Sequence, residues 1–284
     1  MFDWDRPFTI ITTMEVATTV TWDFDGSEPL ITAERTLAYY AELMGCGLDQ
    51  LALPDLLVAT FQQRAMDRLA GRIGAEAPTR WPTPIFWPMA RGSFRGKSLA
   101  VARLPIGAPA AASALELMIA AGVRTVLLAG SAGSLQPDLP VGSLAVPTDA
   151  LRHEGTSHHY LPAGEPSRPS SELVDALISA ALHLGKPTPA LGPTWTTDAP
   201  YRECADTVAR LRSTGVLTVE MEASALFAVA LRRGARVALV AAISDQLGDE
   251  WSPGFHTLSY TRALLTAADV ALEAAAGLHG SFGM

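Results

Sequence analysis

Apolar positions along the chain fall into two recurring patterns, short unbroken runs and longer stretches with helical spacing. Val123–Ala129 (VRTVLLA) and Arg236–Ile243 (RVALVAAI) are near-continuous apolar runs, as expected of strands buried on both faces. Leu99–Leu104 is strand-like, and Ser143–Val146, Pro189–Thr197 and Val216–Val219 are shorter candidates. Ala110–Ala121 reads as a helix: Leu115, Met118 and Ile119 recur at helical spacing, and Gly122 is placed to end it. Ser171–Leu184 is a second helix, carrying Leu173, Val174, Leu177, Ile178 and Ala181 as its apolar set. Glu222–Arg232 is a third, closed by Arg232, Arg233 and Gly234, where cations and glycine suit a helix C-terminus. Thr257–Ala276 forms a long terminal helix. Before residue 99 the pattern is less legible. Glu34–Cys46 and Pro54–Gly71 are expected helices, while the proline-studded Ala77–Pro88 must be irregular, either a loop anchored on the core or a flap over a ligand. Strands alternating with helices predict an undivided α/β sandwich around a largely parallel sheet.

Composition narrows the classes of function. The 284 residues are 49% apolar and 18% charged, enough for a continuous core. A formal charge of −8 without a basic stripe argues against a nucleic-acid binder, because phosphate contacts dominate such affinity. Mean hydropathy is +0.21, yet the apolar runs fall well short of the about 20 residues that a spanning helix needs. The start, MFDWDRPF, carries no basic region of the kind that opens a secretory signal, so a cytoplasmic location is expected. Cys46 and Cys204 are too few for a disulfide framework, and no third ligand joins the adjacent His158 and His159 at metal-site spacing. Neither a Walker loop nor a dinucleotide fingerprint is present.

In open α/β sheets ligands collect at the carboxyl ends of strands, and three such ends carry polar or glycine-rich residues. Gly130-Ser131-Ala132-Gly133 follows a buried strand; it is either a plain tight turn or a nest of backbone N–H groups for an anion or sugar oxygens. Glu220-Met221-Glu222 leaves a strand and enters a helix. Two carboxylates at i and i+2 are able to project together and accept hydrogen bonds from the cis hydroxyls of a ribose; alternatively they are an acidic helix start. Ser244-Asp245 ends the most apolar strand, where an acid between Ile243 and Leu247 is placed to hold and donate a proton, or else to serve as a turn or cap.

The order GAP (Gly107–Pro109), GSAGSL (Gly130–Leu135), HEGTSHHY (His153–Tyr160), TTDAPYRE (Thr196–Glu203), VEMEASAL (Val219–Leu226) and ISD (Ile243–Asp245) resembles the nucleoside phosphorylase/nucleosidase superfamily. The resemblance covers roughly residues 99–245, with residues 1–98 divergent and 257–278 left as the C-terminal helix. It implies a three-layer α/β/α sandwich around a mixed, largely parallel sheet. It further implies that Glu222 holds the ribose hydroxyls, Met221 packs under the sugar and Glu220 supports the same pocket. Asp245 would protonate a purine at N7. Gly130, Ser131, Ala132 and Gly133 would lie at the nucleophile, and Ala199, Pro200 and Tyr201 would border the base. A nucleoside and inorganic phosphate are the implied substrates, with no metal or organic cofactor, in a homodimer or an assembly of dimers. The sequence departs from that pattern in several places. Leu128 stands where phosphorylases carry a phosphate-binding Arg, Pro200 stands where an aromatic faces the base, and no Gly-Asp-Pro-x-Arg loop occurs. Phosphorolysis of a purine nucleoside is the expected reaction, with hydrolysis, a specialised-pathway relative acting on an unusual substrate, and a non-catalytic nucleoside-binding role as alternatives. Arg64, Arg91, Arg95 and Arg152 are the candidate substitutes for the missing phosphate ligand.

Overall fold

A computed structural model describes residues 24–75, 81 and 88–278. The irregular segment expected at Ala77–Pro88 lies outside them, apart from the buried Trp81 and from Pro88. The elements run in the order α1 (Ala33–Leu43), α2 (Leu48–Leu51), β1 (Leu56–Thr60), α3 (Gln63–Arg72), β2 (Met89–Phe94), β3 (Lys97–Arg103), α4 (Ala108–Ala120), β4 (Thr125–Ser134) and β5 (Leu144–His153). They continue with α5 (Ser171–His183), β6 (Ala190–Thr197), α6 (Ala205–Ser213), β7 (Thr218–Glu220), α7 (Ala223–Arg233), β8 (Arg236–Leu247), β9 (Trp251–Pro253) and α8 (Leu258–Gly277).

One mixed sheet runs through the described chain in the order β2-β3-β1-β4-β7-β6-β5-β8-β9. Pairings are parallel for β1 with β3 and β4, for β4 with β8, and for β6 with β5 and β7. Because β4 pairs with both β7 and β8, strands β4, β7, β6, β5 and β8 close into a ring at one end of the sheet. Helices cover both faces. On one side Leu37 of α1, Leu115 and Met118 of α4, and Leu226 and Phe227 of α7 share a core. On the other, Met66 and Leu69 of α3, Leu173 and Leu177 of α5, and Leu264 and Ala271 of α8 share a second. This is the α/β sandwich expected from the alternation of elements, and its sheet is mixed, as the family resemblance implies.

Four expectations need correction. Pro54–Gly71 is not one helix, since Leu56–Thr60 is a strand buried along its whole length between β3 and β4, and α3 starts only at Gln63. A short apolar run fits a buried strand or a helix equally well, and pairing on both edges decides it. Gly130–Gly133 is not a turn or an N–H nest, because β4 continues through it to Ser134. Ser244-Asp245 does not end its strand either: β8 runs on to Leu247. Ser143–Val146 is the start of a ten-residue strand reaching His153. Strands β2 and β9, an edge pair and a three-residue edge, carry too few apolar positions to be read from the sequence.

Candidate active site

The closed end of the sheet and the chain segments above it enclose a cavity of about 700 Å³. Three segments distant in sequence meet there. Ser131, Ala132 and Gly133 come from β4, Glu220, Met221 and Glu222 from the β7–α7 junction, and Ser244 and Asp245 from β8.

The two glutamates have different tasks. Glu220 ends β7 with its carboxylate turned onto the N-terminus of α7. Its Oε2 accepts from the Glu222 N–H at 2.7 Å and the Ala223 N–H at 2.6 Å, and its Oε1 from the Thr196 hydroxyl at 2.5 Å. These donors satisfy otherwise orphaned amides and favour an anion at the positive end of the helix. Burial pushes the Glu220 carboxyl up, against the pull of Thr196 and the two amides. Glu222 is equally buried, but its carboxylate accepts only the Gly107 N–H, at 2.6 Å, as a long-range partner. Burial first, and then the neighbouring charge of Glu220, raise its pKa. Gly107 presents that N–H from φ +96°, a conformation that disfavours any residue with a Cβ. The acidic helix start weighed from the sequence therefore describes Glu220, while Glu222 is the carboxylate with capacity left over.

Asp245 reaches the cavity through a bulge. Opposite β4 the register steps from Ala132↔Ile243 to Gly133↔Asp245, so Ser244 is an extra residue on β8. A bulge of this kind re-aims the following side chain. The Ser244 hydroxyl donates to Asp245 Oδ1 at 2.7 Å, and the Trp251 indole N–H donates to Oδ2 at 2.8 Å. Gly133 is glycine for space: a Cβ there would lie 2.6 Å from Leu247 Cδ1 and 3.3 Å from Asp245 Oδ2. The glycine-rich segment thus lets two strands close around an acid rather than letting the chain turn.

At the β4 side, Ser131 Oγ accepts from the Gln62 amide at 2.9 Å and also hydrogen-bonds Tyr260. Tyr260 is buried at the start of α8, where the Thr257 hydroxyl accepts its N–H at 3.1 Å and caps the helix. Burial raises the Tyr260 phenol, the bond to Ser131 opposes that, and the charge of Asp245 adds to it. Above the site, the turn Pro200–Arg202 brings Glu203 to the lining. Burial, with the charge of Asp245 added, pushes Glu203 up to about 7. No described residue hydrogen-bonds its carboxyl.

Of the residues singled out from the sequence, Ser131, Ala132, Gly133, Pro200, Tyr201, Glu220, Met221, Glu222 and Asp245 line one cavity. Gly130 and Ala199 do not; Gly130 is packed against Leu239 and Phe61. Tyr201 is 98% exposed and forms part of the rim. Phe61, Gln62, Gly107, Glu203, Trp251, Phe255 and Tyr260 also build the site and are not singled out by the sequence. Only Gly107 and Glu203 lay in motifs that had been noticed. None of the four arginines proposed for phosphate lines the cavity. Arg152 is spent on Ser157 and on the Pro162, Leu161 and Glu165 carbonyls, Arg95 on Glu273, and Arg91 on the Gln50 carbonyl. Among the described residues the charged groups of the lining are all carboxylates: Glu203, Glu220, Glu222, Asp245 and Asp249.

Residues 56–276 match the model of the phosphorylase superfamily, and the chain belongs to that family. It is 33% identical over 161 residues to a guanosine phosphorylase of Halorubrum lacusprofundi, an alignment spanning 57% of this chain and 66% of that one, just under two thirds. It is 30% identical over 201 residues to a uridine phosphorylase of Haemophilus influenzae, spanning 64% and 79%. A solved purine nucleoside phosphorylase of Toxoplasma gondii, in complex with immucillin-H, shares the fold with a TM-score of 0.72 at 20% identity, covering 80% of this chain and 92% of that one. Among the described residues no helix is long and apolar enough to cross a membrane.

Proposed function

We propose that this protein cleaves the N-glycosidic bond of a nucleoside, preferring purines, by phosphorolysis to the free base and a pentose 1-phosphate. The observation that carries this reading is the placement of Glu222 and Asp245, from distant segments, on one cavity whose volume suits a small ligand. Cleavage of the bond leaves an oxocarbenium-like sugar and a departing base that gathers negative charge. Glu222, fixed by Gly107, accepts the ribose hydroxyls and sets negative charge beside the developing cation. Met221 packs beneath the sugar. Asp245 delivers a proton to N7 of the leaving purine as general acid; uracil has no such nitrogen, which is the basis for the purine preference. Ser131 and its neighbours Ala132 and Gly133 position the nucleophile under the anomeric carbon. The reaction as drawn calls on no metal or organic cofactor. A homodimer or assembly of dimers is the proposed setting, for which the exposed Ile106, Tyr201 and Phe255 at the cavity mouth offer apolar surface.

One observation favours a second reading, hydrolysis. A phosphate dianion would enter a lining whose described ionisable groups are all carboxyls and include no cation, whereas a water molecule needs no such partner and meets the Ser131 hydroxyl and the Gln62 amide there. Incubating the protein with inosine, guanosine, adenosine and uridine, with and without phosphate, tests both readings. Purine release that requires phosphate is expected. Release at equal rate without phosphate establishes hydrolysis, and uracil release in preference to purine overturns the assigned role of Asp245.

A further inference from the structure

Two tryptophans of this chain make opposite use of the same side chain. Trp195 is 1% exposed and hydrogen-bonds His153 Nδ1 at 2.9 Å within the protein. Trp251 is 62% exposed, on a three-residue edge strand, yet its single N–H is directed inward onto Asp245 Oδ2 at 2.8 Å. An indole on an exposed edge gains little from burial there, and its committed N–H restricts the ring to one orientation against the cavity. That orientation is built by the local chain. β9 pairs antiparallel with β8, placing Trp251 opposite Leu247 and Pro253 opposite Asp245. The Gly248 N–H closes the intervening loop on the Glu250 carbonyl at 3.2 Å. Phe255 packs beside the indole with ring centroids 6.4 Å apart, and both rings line the cavity. Pro200 lines the cavity without an aromatic ring and Tyr201 is 98% exposed at its rim, so the aromatic surface beside Asp245 comes from the Trp251–Phe255 segment.

We propose that Trp251 joins two functions in one side chain: its N–H locks the Asp245 carboxyl in its proton-delivering orientation, and its ring face forms the platform on which the purine stacks. The inference rests on the purine-cleaving reading above. With the Ser244 hydroxyl on Oδ1 and the indole on Oδ2, the carboxyl is held at both oxygens and cannot swing away from the base. Trp251 is a positioning residue toward Asp245 and a contact residue toward the substrate.

The two functions separate by substitution. Trp251→Phe retains a ring and removes the donor; it is expected to lower kcat on inosine or guanosine about tenfold with the nucleoside KM within about twofold, the loss of one orienting hydrogen bond. Trp251→Ala removes both, and is expected to lower kcat similarly and also raise KM about tenfold, in the range of base–aromatic stacking. Thermal melts establish that each variant is folded. Binding of free hypoxanthine, followed by calorimetry, is expected to survive in the Phe variant and weaken about tenfold in the Ala variant. A Phe variant with wild-type kcat overturns the positioning role, and an Ala variant with wild-type KM and hypoxanthine affinity overturns the stacking role. Wild-type protein that releases base from no nucleoside, with or without phosphate, overturns the functional reading instead.

Discussion

The two ends of the cavity are built on different principles. At the end proposed for the sugar and base every assigned carboxylate is anchored within the protein: Glu220 by three donors, Glu222 by Gly107, Asp245 by Ser244 and Trp251. At the end proposed for the nucleophile the described groups are neutral, a serine hydroxyl held between an amide and a phenol. The difference teaches where the chain itself stores catalytic power. Fixed negative charge aimed at a developing cation acts without reorganisation, so it is most effective when built into the fold. Countercharge for an incoming anion is a separate requirement, and the described lining does not meet it.

The contrast breaks most visibly at Asp245. Asp245→Asn keeps the shape and both hydrogen-bonded neighbours while removing the acid, and is expected to lower kcat on purine nucleosides by about 10²–10⁴. Steady-state assays on inosine, with a melting curve to confirm folding, make the measurement. An unchanged rate would show that the departing base takes its proton from another group.

Next in size is the split between the neighbouring glutamates. Glu222→Gln is expected to reduce kcat/KM for nucleoside by about 10–10², as one charged contact to the sugar is lost, with little change in melting temperature. Glu220→Gln should do the reverse. It weakens the cap on α7 and lowers the melting temperature first, with activity following stability. Equal effects of the two on stability and on kcat/KM would remove the distinction. At the other end of the cavity, Ser131→Ala is expected to raise the KM for phosphate about tenfold, as one hydrogen bond to a charged group is lost, and leave the nucleoside KM unchanged. A rise in nucleoside KM alone would move Ser131 from the nucleophile to the sugar.

Much of this site was legible because its chemistry sits in short contiguous motifs. Glu220-Met221-Glu222 and Ser244-Asp245 could be read as carboxylates near strand ends, and both reach the cavity. What could not be read was how Asp245 and Ser131 are held. Gln62, Trp251 and Tyr260 come from an α3 cap, an edge strand and the start of α8, and a lone polar or aromatic residue at such a place has no periodic signature. The glycines were noticed for the wrong reason. Gly130 and Gly133 suggest a turn, yet both lie inside β4, and a Cβ at Gly133 would crowd the Leu247, Val219 and Asp245 side chains, a tertiary constraint that local pattern does not contain. The fold shows the same division. Long periodic helices such as α5 and α8 fall within a residue or two of expectation, whereas β1 reads as helix because four apolar residues and a threonine, all buried, carry no period of their own.

The smallest expected effect concerns Glu203, the carboxylate at the acid end that no described residue anchors. Its pKa is raised from 4.5 to about 7, by burial first and then by the charge of Asp245. Below the unfolded value the group is protonated in both states and carries no penalty. As pH rises toward about 7 the unfolded chain releases the proton while the folded chain retains it, so stability falls across that window and levels off above it. Glu203→Gln removes the titration. The variant should therefore melt higher than wild type at about pH 8, and the gain should vanish by about pH 4.5. The same gain should shrink in an Asp245→Asn background, because part of the penalty is the repulsion between the two acids. A gain that is independent of pH would assign the effect to packing, and one that is unchanged by Asp245→Asn would leave burial as its whole cause.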